Sequence, residues 1–167
     1  SDFAFYGAAY HPCERPNSWF TNGTLGMIGW GVPFSIGLKV ANPNSMAILL
    51  TGDGAFGFNA MELDTAVRHA VPIVIIIGND GVWGIDYHQQ VDLYGRAVAT
   101  ELLPTRYDKM AESLGAHGEY VETTDGLEPA LKRALSAGKP AVVNIQTIPS
   151  PSPLTDWIIR VKGDAKS

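Results

Sequence analysis

Two short turns, rich in glycine and in acidic or amide side chains, are the segments of this sequence best suited to chemistry. Gly52-Asp53-Gly54 follows the apolar run from Met46 to Leu50, and Asn79-Asp80-Gly81 follows a second apolar run from Ile73 to Ile77. If both runs are strands of one open parallel sheet, their carboxyl ends lie at the same edge, where such sheets bind ligands. Carboxylate oxygens and free backbone N–H groups would then converge, which suits Mg²⁺ or Ca²⁺ bound together with a diphosphate.

Asp53 is the first candidate metal ligand, because a carboxylate among glycines at a strand end has no apolar packing role. Taken alone, it could equally be a turn aspartate that bonds its own backbone. We expect it to lie on a surface turn, so that its loss would open no cavity in the core. Gly54, Ala55 and Phe56 precede a predicted helix, so their N–H groups could point at phosphate oxygens, or could simply form a strand-to-helix turn.

The two turns resemble the cofactor motif of thiamine-diphosphate enzymes, in which Gly-Asp-Gly is followed at a similar spacing by Asn-Asn or Asn-Asp. Other segments resemble the same family, and the match covers most of residues 15 to 147. The segments that carry it are Gly23-Thr24-Leu25-Gly26-Met27-Ile28-Gly29-Trp30-Gly31-Val32-Pro33, Gly52-Asp53-Gly54-Ala55-Phe56-Gly57-Phe58-Asn59, Glu62-Leu63 and Val71-Pro72-Ile73-Val74. A lone Gly-Asp-Gly is a common turn, but matching segments in the same order indicate the family strongly.

The resemblance assigns the other metal ligands. By register from Pro72, Asp80 rather than Asn79 falls on the second ligand position, and the carbonyl of Val82 matches the third. The alternative is that Asn79 is the ligand and Asp80 is turned to solvent.

The resemblance also assigns contacts to the cofactor. Trp83 and Gly84 match a second phosphate-contacting turn, although Trp83 could equally be a core residue. Ile28 matches the bulky apolar residue that holds the cofactor in its bent conformation, with a core side chain as the alternative. The carbonyl of Gly26 matches the acceptor for the 4′-amino group.

The family resemblance implies thiamine diphosphate and Mg²⁺ as cofactors and an enzyme that makes or cleaves C–C bonds next to a carbonyl. The most similar branches are acetolactate synthase, 2-hydroxyacyl-CoA lyase and oxalyl-CoA decarboxylase, so the implied substrate is a small 2-oxo or 2-hydroxy acid or an acyl-CoA. The family's enzymes are longer, and their cofactor domain opens with an apolar strand that is absent before Ser1-Asp2. We therefore expect a C-terminal piece of a larger enzyme or one subunit of a split one.

In this family the glutamate that activates the cofactor comes from a separate pyrimidine-binding domain, in the same enzyme or in another subunit. The resemblance therefore implies a homo- or hetero-oligomer. We assign Glu62 to a helix cap and find no match for the activating glutamate among the others, which are Glu14, Glu101, Glu112, Glu119, Glu122 and Glu128. No catalytic residue is thus identified in this chain, and we expect an exposed partner surface near residues 23–30 and Trp83.

Parts of this sequence pattern would also fit two other classes of protein. A non-catalytic or regulatory module could retain the cofactor fold, but loss of Asp53 or of its glycine turn would favour it, and both are present. A dinucleotide-binding domain is suggested by Gly52-x-Gly54-x-x-Gly57, but Asp80 comes late for the ribose-binding acid.

Composition argues against several other kinds of protein. The net charge of −5 argues against a nucleic-acid surface. The single cysteine, Cys13, excludes an internal disulfide, and the apolar runs are too short to span a bilayer. No signal peptide is visible at the start, so we expect a cytoplasmic protein without a membrane partner.

The alternation of elements predicts an α/β fold with a parallel sheet and helices on both faces, as in the thiamine-diphosphate-binding fold. The predicted strands are residues 45–51, 73–78, a segment ending at Tyr120-Val121, and 141–145, and the predicted helices are 26–40, 61–70, 105 or 106 to 114, and 125 or 126 to 137. Residues 1–23 are expected to hold little regular structure, and Asn59 and Glu62 to form a capping box. Residues 1–150 would form the cofactor domain, and 151–167 a tail made of a linker and a short amphipathic segment.

Overall fold

The centre of the fold is a parallel sheet of the four apolar segments that the sequence predicts. A computed structural model describes residues 1–13 and 15–164 of the chain. Within them the strands are β1 (Ala47–Gly52), β2 (Ile73–Asn79), β3 (His117–Val121) and β4 (Ala141–Gln146), and they pair in parallel in the order β1-β2-β4-β3.

Helices cover both faces of this sheet. In the described part of the chain they are α1 (Asp2–Tyr10), α2 (Gly31–Ala41), α3 (Asp53–Gly57), α4 (Glu62–Arg68), α5 (Gly84–Tyr94), α6 (Tyr107–Ser113), α7 (Thr124–Ser136) and α8 (Pro153–Asp164). Ile73, Ile75 and Ile77 of β2 belong to one buried cluster with Leu63 of α4, whereas Val74 packs in a second cluster on the opposite face. This period of two means that β2 is buried on both of its faces.

The N-terminal region departs from the prediction, because α1 occupies residues expected to be irregular. Ser1 caps this helix, since its hydroxyl accepts a hydrogen bond from the Ala4 N–H at 3.3 Å. Gly7 lies against the side chain of Leu50. A helix with little amphipathic pattern is thus stabilised by its cap and by packing on β1, and neither contact is visible in the local sequence.

The predicted helix of residues 26–40 begins later, at Gly31. Gly26 and Gly29 have φ angles of 60° and 83°, which lie outside the helical region. The glycine-rich segment therefore forms turns that lead into α2. The side chain of Asn59 is also used differently from the prediction, because it donates a hydrogen bond to the Gly29 carbonyl at 2.9 Å instead of capping α4.

Two more helices were not predicted as such. Helix α5 follows the second turn, in a segment for which no helix was predicted. It ends at Gly95, which has the left-handed conformation. The amphipathic segment of the tail forms α8. Its start is buried, because the Ser152 N–H donates to the Asp2 carboxylate at 3.0 Å and the Ser152 hydroxyl accepts from the Thr155 N–H at 3.2 Å.

Candidate functional site

The two predicted turns lie side by side at the carboxyl ends of β1 and β2. Gly52 and Gly78 are partners in the sheet register, which brings Asp53 next to the turn at residues 79–81. The Asp53 carboxylate spans the gap, because its Oδ1 accepts from the Gly54 N–H at 2.9 Å and its Oδ2 accepts from the Gly81 N–H at 3.0 Å. One side chain therefore joins both turns.

Asp53 is buried rather than on a surface turn, so this prediction was wrong. Its exposed fraction is 2 %, because α3 begins at this residue and folds back over the strand end. Burial raises the pKa of Asp53 to about 6, against the opposing effect of the Gly54 N–H and with a further increase from the charge of Asp80. Burial likewise raises the pKa of Asp80.

The electrostatic environment of this pair fits a bound cation. In the described residues no lysine or arginine forms an ion pair with Asp53 or Asp80. Burial and the repulsion between the two carboxylates disfavour their ionisation, and the charge of His88 opposes this only at the half-buried Asp80. A divalent cation would relieve both effects at once, and oxygen ligands are the ones that Mg²⁺ prefers.

The geometry bears on the choice between Asn79 and Asp80. The Asn79 amide is fully buried and donates to the Thr105 carbonyl at 2.9 Å and to Asn144 Oδ1 at 3.1 Å. Asp80 is half-buried, and its Oδ1 accepts from the Val82 N–H at 3.2 Å. The NH2 group of Asn79 is thus occupied on the β4 side, but its buried Oδ1 has no hydrogen-bond partner among the described residues. Asp80 is the residue of this turn whose carboxylate interacts electrostatically with Asp53. The role of Asp80 as a metal ligand stays a prediction.

The chain after the second turn is held by backbone pairing. Val82 forms an isolated antiparallel bridge with Glu101, and the Trp83 N–H donates to the Thr100 carbonyl at 2.7 Å. Gly84 is the first residue of α5. The predicted third metal ligand and the second phosphate-contacting turn therefore belong to an ordered segment beside Asp53.

Trp83 contributes to packing as well. Its ring makes an edge contact with Phe58 at a centroid distance of 5.7 Å. It also covers Gly54 so closely that a Cβ at that position would lie 3.0 Å from the indole. Only glycine leaves the backbone of residue 54 this near to the ring, which keeps its N–H available to Asp53.

The remaining predicted cofactor contacts surround two neighbouring clefts. Ile28 lines both of them and is 46 % exposed. One cleft, of about 170 Å³, also includes Ala55 and Phe56, and the other, of about 300 Å³, includes Phe58 and Trp83. Gly26 lies in an exposed turn, and the buried Phe56 side chain belongs to the core, so only its backbone N–H is available for the predicted role.

Sequence reasoning missed Tyr107, which touches the Asp53 turn from α6. Its hydroxyl donates to the Asp53 carbonyl at 3.4 Å, and its ring packs edge-on against Phe56 at 5.2 Å. No motif marks Tyr107, and its partners are far away in sequence. The parts of the chain that the structure describes contain no cluster of three or more His, Cys, Asp or Glu that could hold a metal. None of their helices combines the length and apolarity needed to cross a membrane.

A parallel sheet with helices on both faces, and with acidic turns at the carboxyl ends of two neighbouring strands, is typical of α/β domains that bind a cofactor. Comparison with known proteins identifies the family. The family model described as "Thiamine pyrophosphate enzyme, C-terminal TPP binding domain" matches residues 2–145. The chain belongs to this family.

The relatives of this chain include enzymes with different activities. The chain is 46 % identical over 150 residues to a probable acetolactate synthase of Mycobacterium bovis, covering 89 % of this chain and 27 % of the relative. It is 36 % identical over 145 residues to 2-hydroxyacyl-CoA lyase 2 of Caenorhabditis elegans, covering 83 % of this chain and 23 % of the relative.

A solved structure has the same fold. The thiamine diphosphate-dependent 4-hydroxybenzoylformate decarboxylase of Rhodococcus jostii aligns with a TM-score of 0.70 at 29 % identity, over 77 % of this chain and 24 % of the decarboxylase. The chain thus spans about a quarter of the length of the relatives it matches.

Proposed function

We propose that this chain binds the diphosphate end of thiamine diphosphate through Mg²⁺, as part of an enzyme that makes or cleaves C–C bonds next to a carbonyl. The observation that carries the proposal is the Asp53 carboxylate, which receives N–H groups from both turns. Family membership supports the cofactor, and the buried, unpaired carboxylates support the cation. Acetolactate synthases, 2-hydroxyacyl-CoA lyases and decarboxylases among the relatives support the reaction class.

The residues present fit the group that the family implies. Asp53, Asp80 and the carbonyl of Val82 would hold the metal. The N–H groups of Ala55 and Phe56, and the turn at Trp83 and Gly84, would face the phosphates. The Gly54 N–H, also predicted for this role, donates to Asp53 instead. When bound, the cofactor supplies an electron sink for the bond that is made or broken.

The other role of this chain is to position the cofactor and to keep water away from it. Ile28 lies between the two clefts and would support the cofactor from below, with the Gly26 carbonyl as acceptor for its amino group. Phe58 and Trp83 form an apolar wall beside Ile28. Such surroundings strengthen the electrostatic effect of the polar groups that face the cofactor.

A partner domain would complete the site, within the same enzyme or as another subunit of a homo- or hetero-oligomer. Support comes from large exposed apolar side chains. Met27 (64 %) and Phe58 (61 %) line the clefts, and Leu25 (96 %) and Met61 (64 %) are their near neighbours in sequence. We call these four residues the apolar patch. Exposed patches of this kind mark protein–protein contacts.

The ligand assignment is tested by titrating thiamine diphosphate calorimetrically with and without Mg²⁺. We expect Asp53→Ala to abolish Mg²⁺-dependent binding, because it removes both the metal ligand and the link between the turns. Since Asp53 is buried, Asp53→Asn is measured as well and circular dichroism monitors folding. Asp80→Asn should bind within about tenfold of the parent, because an amide oxygen can also coordinate the cation.

Asp64→Ala is the matched control, since Asp64 is an aspartate on α4 that pairs with Arg68 at 2.6 Å away from the site. It should bind as the parent does. Parental affinity in a folded Asp53→Ala protein would overturn the assignment of Asp53.

A further inference from the structure

A chain of buried hydrogen bonds runs from the second turn to the far side of the sheet. Asn79 donates to Asn144 Oδ1 at 3.1 Å, and Asn144 donates to Asp108 Oδ1 at 3.3 Å. Arg106 holds both oxygens of Asp108, at 2.9 Å and 2.7 Å. Asn79, Asn144 and Asp108 are each at most 2 % exposed, so water cannot replace these partners.

The carbonyl of Thr105 joins the same network. It accepts from the Asn79 amide at 2.9 Å and from the Asn144 amide at 3.2 Å. Three elements therefore meet at one carbonyl: the end of β2, the middle of β4 and the segment that leads into α6.

Residues 105–108 also reach the first turn. The Tyr107 hydroxyl donates to the Asp53 carbonyl at 3.4 Å, and its ring packs on Phe56 of α3. At the outer end the Arg106 guanidinium lies 3.8 Å from the centre of the Tyr120 ring, which fixes its position against β3. A single four-residue segment, anchored at its outer end, thus contacts both turns.

We propose that residues 105–108 together with Asn144 are a positioning brace that sets the distance between the Asp53 and Asp80 turns. The metal part of this inference rests on the proposed function. A brace is needed because the carboxylates of the buried Asp53 and the half-buried Asp80 repel each other in the absence of a cation. By holding the Asp53 carbonyl and the Asn79 side chain, the brace keeps the carboxylates close enough to share one ion.

Asp108 is the residue through which the brace can be tested. Buried networks are sensitive to the loss of one member, since its neighbours are left without a partner. Asp108→Asn keeps the shape of the side chain but removes the charge that holds Arg106. In the metal-free protein we expect the backbone N–H resonances of Gly54 and Gly81 to shift, because both groups donate to Asp53.

Glu119→Gln is the matched control. Glu119 holds Arg133 with two hydrogen bonds, at 2.8 Å and 2.7 Å, and it lies on β3 away from both turns. This substitution makes the same chemical change, from a carboxylate that holds an arginine to an amide, on a strand instead of on α6. It should lower stability while leaving the Gly54 and Gly81 resonances in place.

The second measurement is Mg²⁺ affinity at saturating thiamine diphosphate. We expect Asp108→Asn to weaken it by about tenfold, the range found when residues that orient metal ligands are changed. Glu119→Gln should leave it unchanged. If Asp108→Asn does not fold, Arg106→Gln replaces it, because the Arg106 side chain is half exposed and its loss leaves no core cavity.

The outcomes separate the two proposals. A parent that binds no Mg²⁺ contradicts the proposed function, while the resonance shifts still decide the brace. Unshifted Gly54 and Gly81 resonances in a folded Asp108→Asn or Arg106→Gln protein overturn the brace, as does equal weakening of Mg²⁺ affinity by Glu119→Gln.

Discussion

Asp53 binds two backbone N–H groups, yet its charge is unfavourable in the free protein. The hydrogen bonds from Gly54 and Gly81 stabilise the carboxylate, but burial outweighs them and raises its pKa to about 6. A residue kept for stability alone would not be both buried and without a cationic partner. Perturbed groups of this kind are typical of functional sites.

The first residue-scale prediction concerns pH. Because the pKa of Asp53 is higher in the folded than in the unfolded chain, its contribution to stability is present at low pH and is lost as pH rises through about 6. We expect the free energy of unfolding of the metal-free chain to fall by about 1 kcal/mol more in the parent than in Asp53→Asn between pH 5 and pH 7. Urea denaturation at several pH values measures this difference.

Between pH 5 and pH 7 the difference between the two proteins is separate from the effect of carboxylates whose pKa is lowered in the folded chain. Although burial opposes it, hydrogen bonding to Arg106 lowers the pKa of Asp108, and the Arg133 hydrogen bond lowers the pKa of Glu119. Asp80, whose pKa burial also raises, is present in both proteins, so their difference reports Asp53 together with its interaction with Asp80. Identical pH profiles for the two proteins would contradict the burial effect at Asp53.

At this scale the sequence identifies the candidate ligands, whose role stays a prediction, more readily than the residues that support them. The carboxylates of Asp53 and Asp80 could be found because each lies in a short glycine turn directly after an apolar strand. Tyr107 and Asn144 could not, since their partners Asp53 and Asn79 lie 54 and 65 residues away. Only the folded chain brings these pairs together.

Among the elements, the glycine-rich segment before α2 shows how a loop is fixed beside the site. Its last turn is held by Asn59, which donates to the Gly29 carbonyl. Local pattern favoured Asn59 as a helix cap, because Asn-x-x-Glu is a common capping sequence. The tertiary contact prevailed, since the buried carbonyl needs a donor that the turn itself does not supply.

The element-scale prediction compares two glycines in this segment. Gly29 has a φ of 83°, and a Cβ there would lie 2.5 Å from the Cβ of Phe58, whereas Gly23 has a φ of 62° and no neighbour within 4 Å. We expect Gly23→Ala to lower the free energy of unfolding by about 1 kcal/mol through backbone strain alone. Gly29→Ala should cost about 2–4 kcal/mol, because overpacking is added to the same strain.

Urea denaturation of both variants measures the difference. Equal losses of stability would mean that Phe58 and Asn59 move aside without penalty. The glycine at position 29 would then reflect its φ angle alone.

The parallel sheet with helices on both faces follows from sequence patterns, whereas α1 and α5 do not. The predicted alternation of strands and helices implies such a sheet, but it leaves the strand order β1-β2-β4-β3 open. Helix α5 has no buried residue and only a weak apolar stripe. It is stabilised by backbone pairing at Trp83 and by contact with α8, including Lys162, which donates to Gln89 at 2.7 Å.

For the whole molecule, the apolar patch and the site lie on the same side of the fold. Ile28 and Phe58 line the clefts next to the predicted cofactor contacts, and Leu25 and Met27 extend the apolar surface outward. A cofactor bound there would be covered on one side only. This arrangement fits a site that a second domain closes.

The glutamates of the described residues offer no acid for such a site. Glu62 accepts a hydrogen bond from the Thr65 hydroxyl at 2.9 Å, and Glu119 is occupied by Arg133 and His117. The remaining ones have exposed side chains: Glu112, Glu122 and Glu128 lie on α6, α7 or a connecting segment, and Glu101 pairs through its backbone with Val82. Glu14 lies outside the described residues.

The molecular-scale prediction is therefore that the isolated chain has no turnover. It would bind Mg²⁺ and the diphosphate, but the group that activates the cofactor would come from the partner domain. The test is a lyase and decarboxylase assay on the isolated chain, then on the chain with the pyrimidine-binding domain of a relative added in trans. A Leu25→Asp variant serves as the control, because a charge at this fully exposed position should block association without affecting Mg²⁺-dependent cofactor binding.

We expect activity only when the domain is added, and lower activity with the Leu25→Asp variant than with the parent. Full activity of the isolated chain would show that the activating group is already present in it.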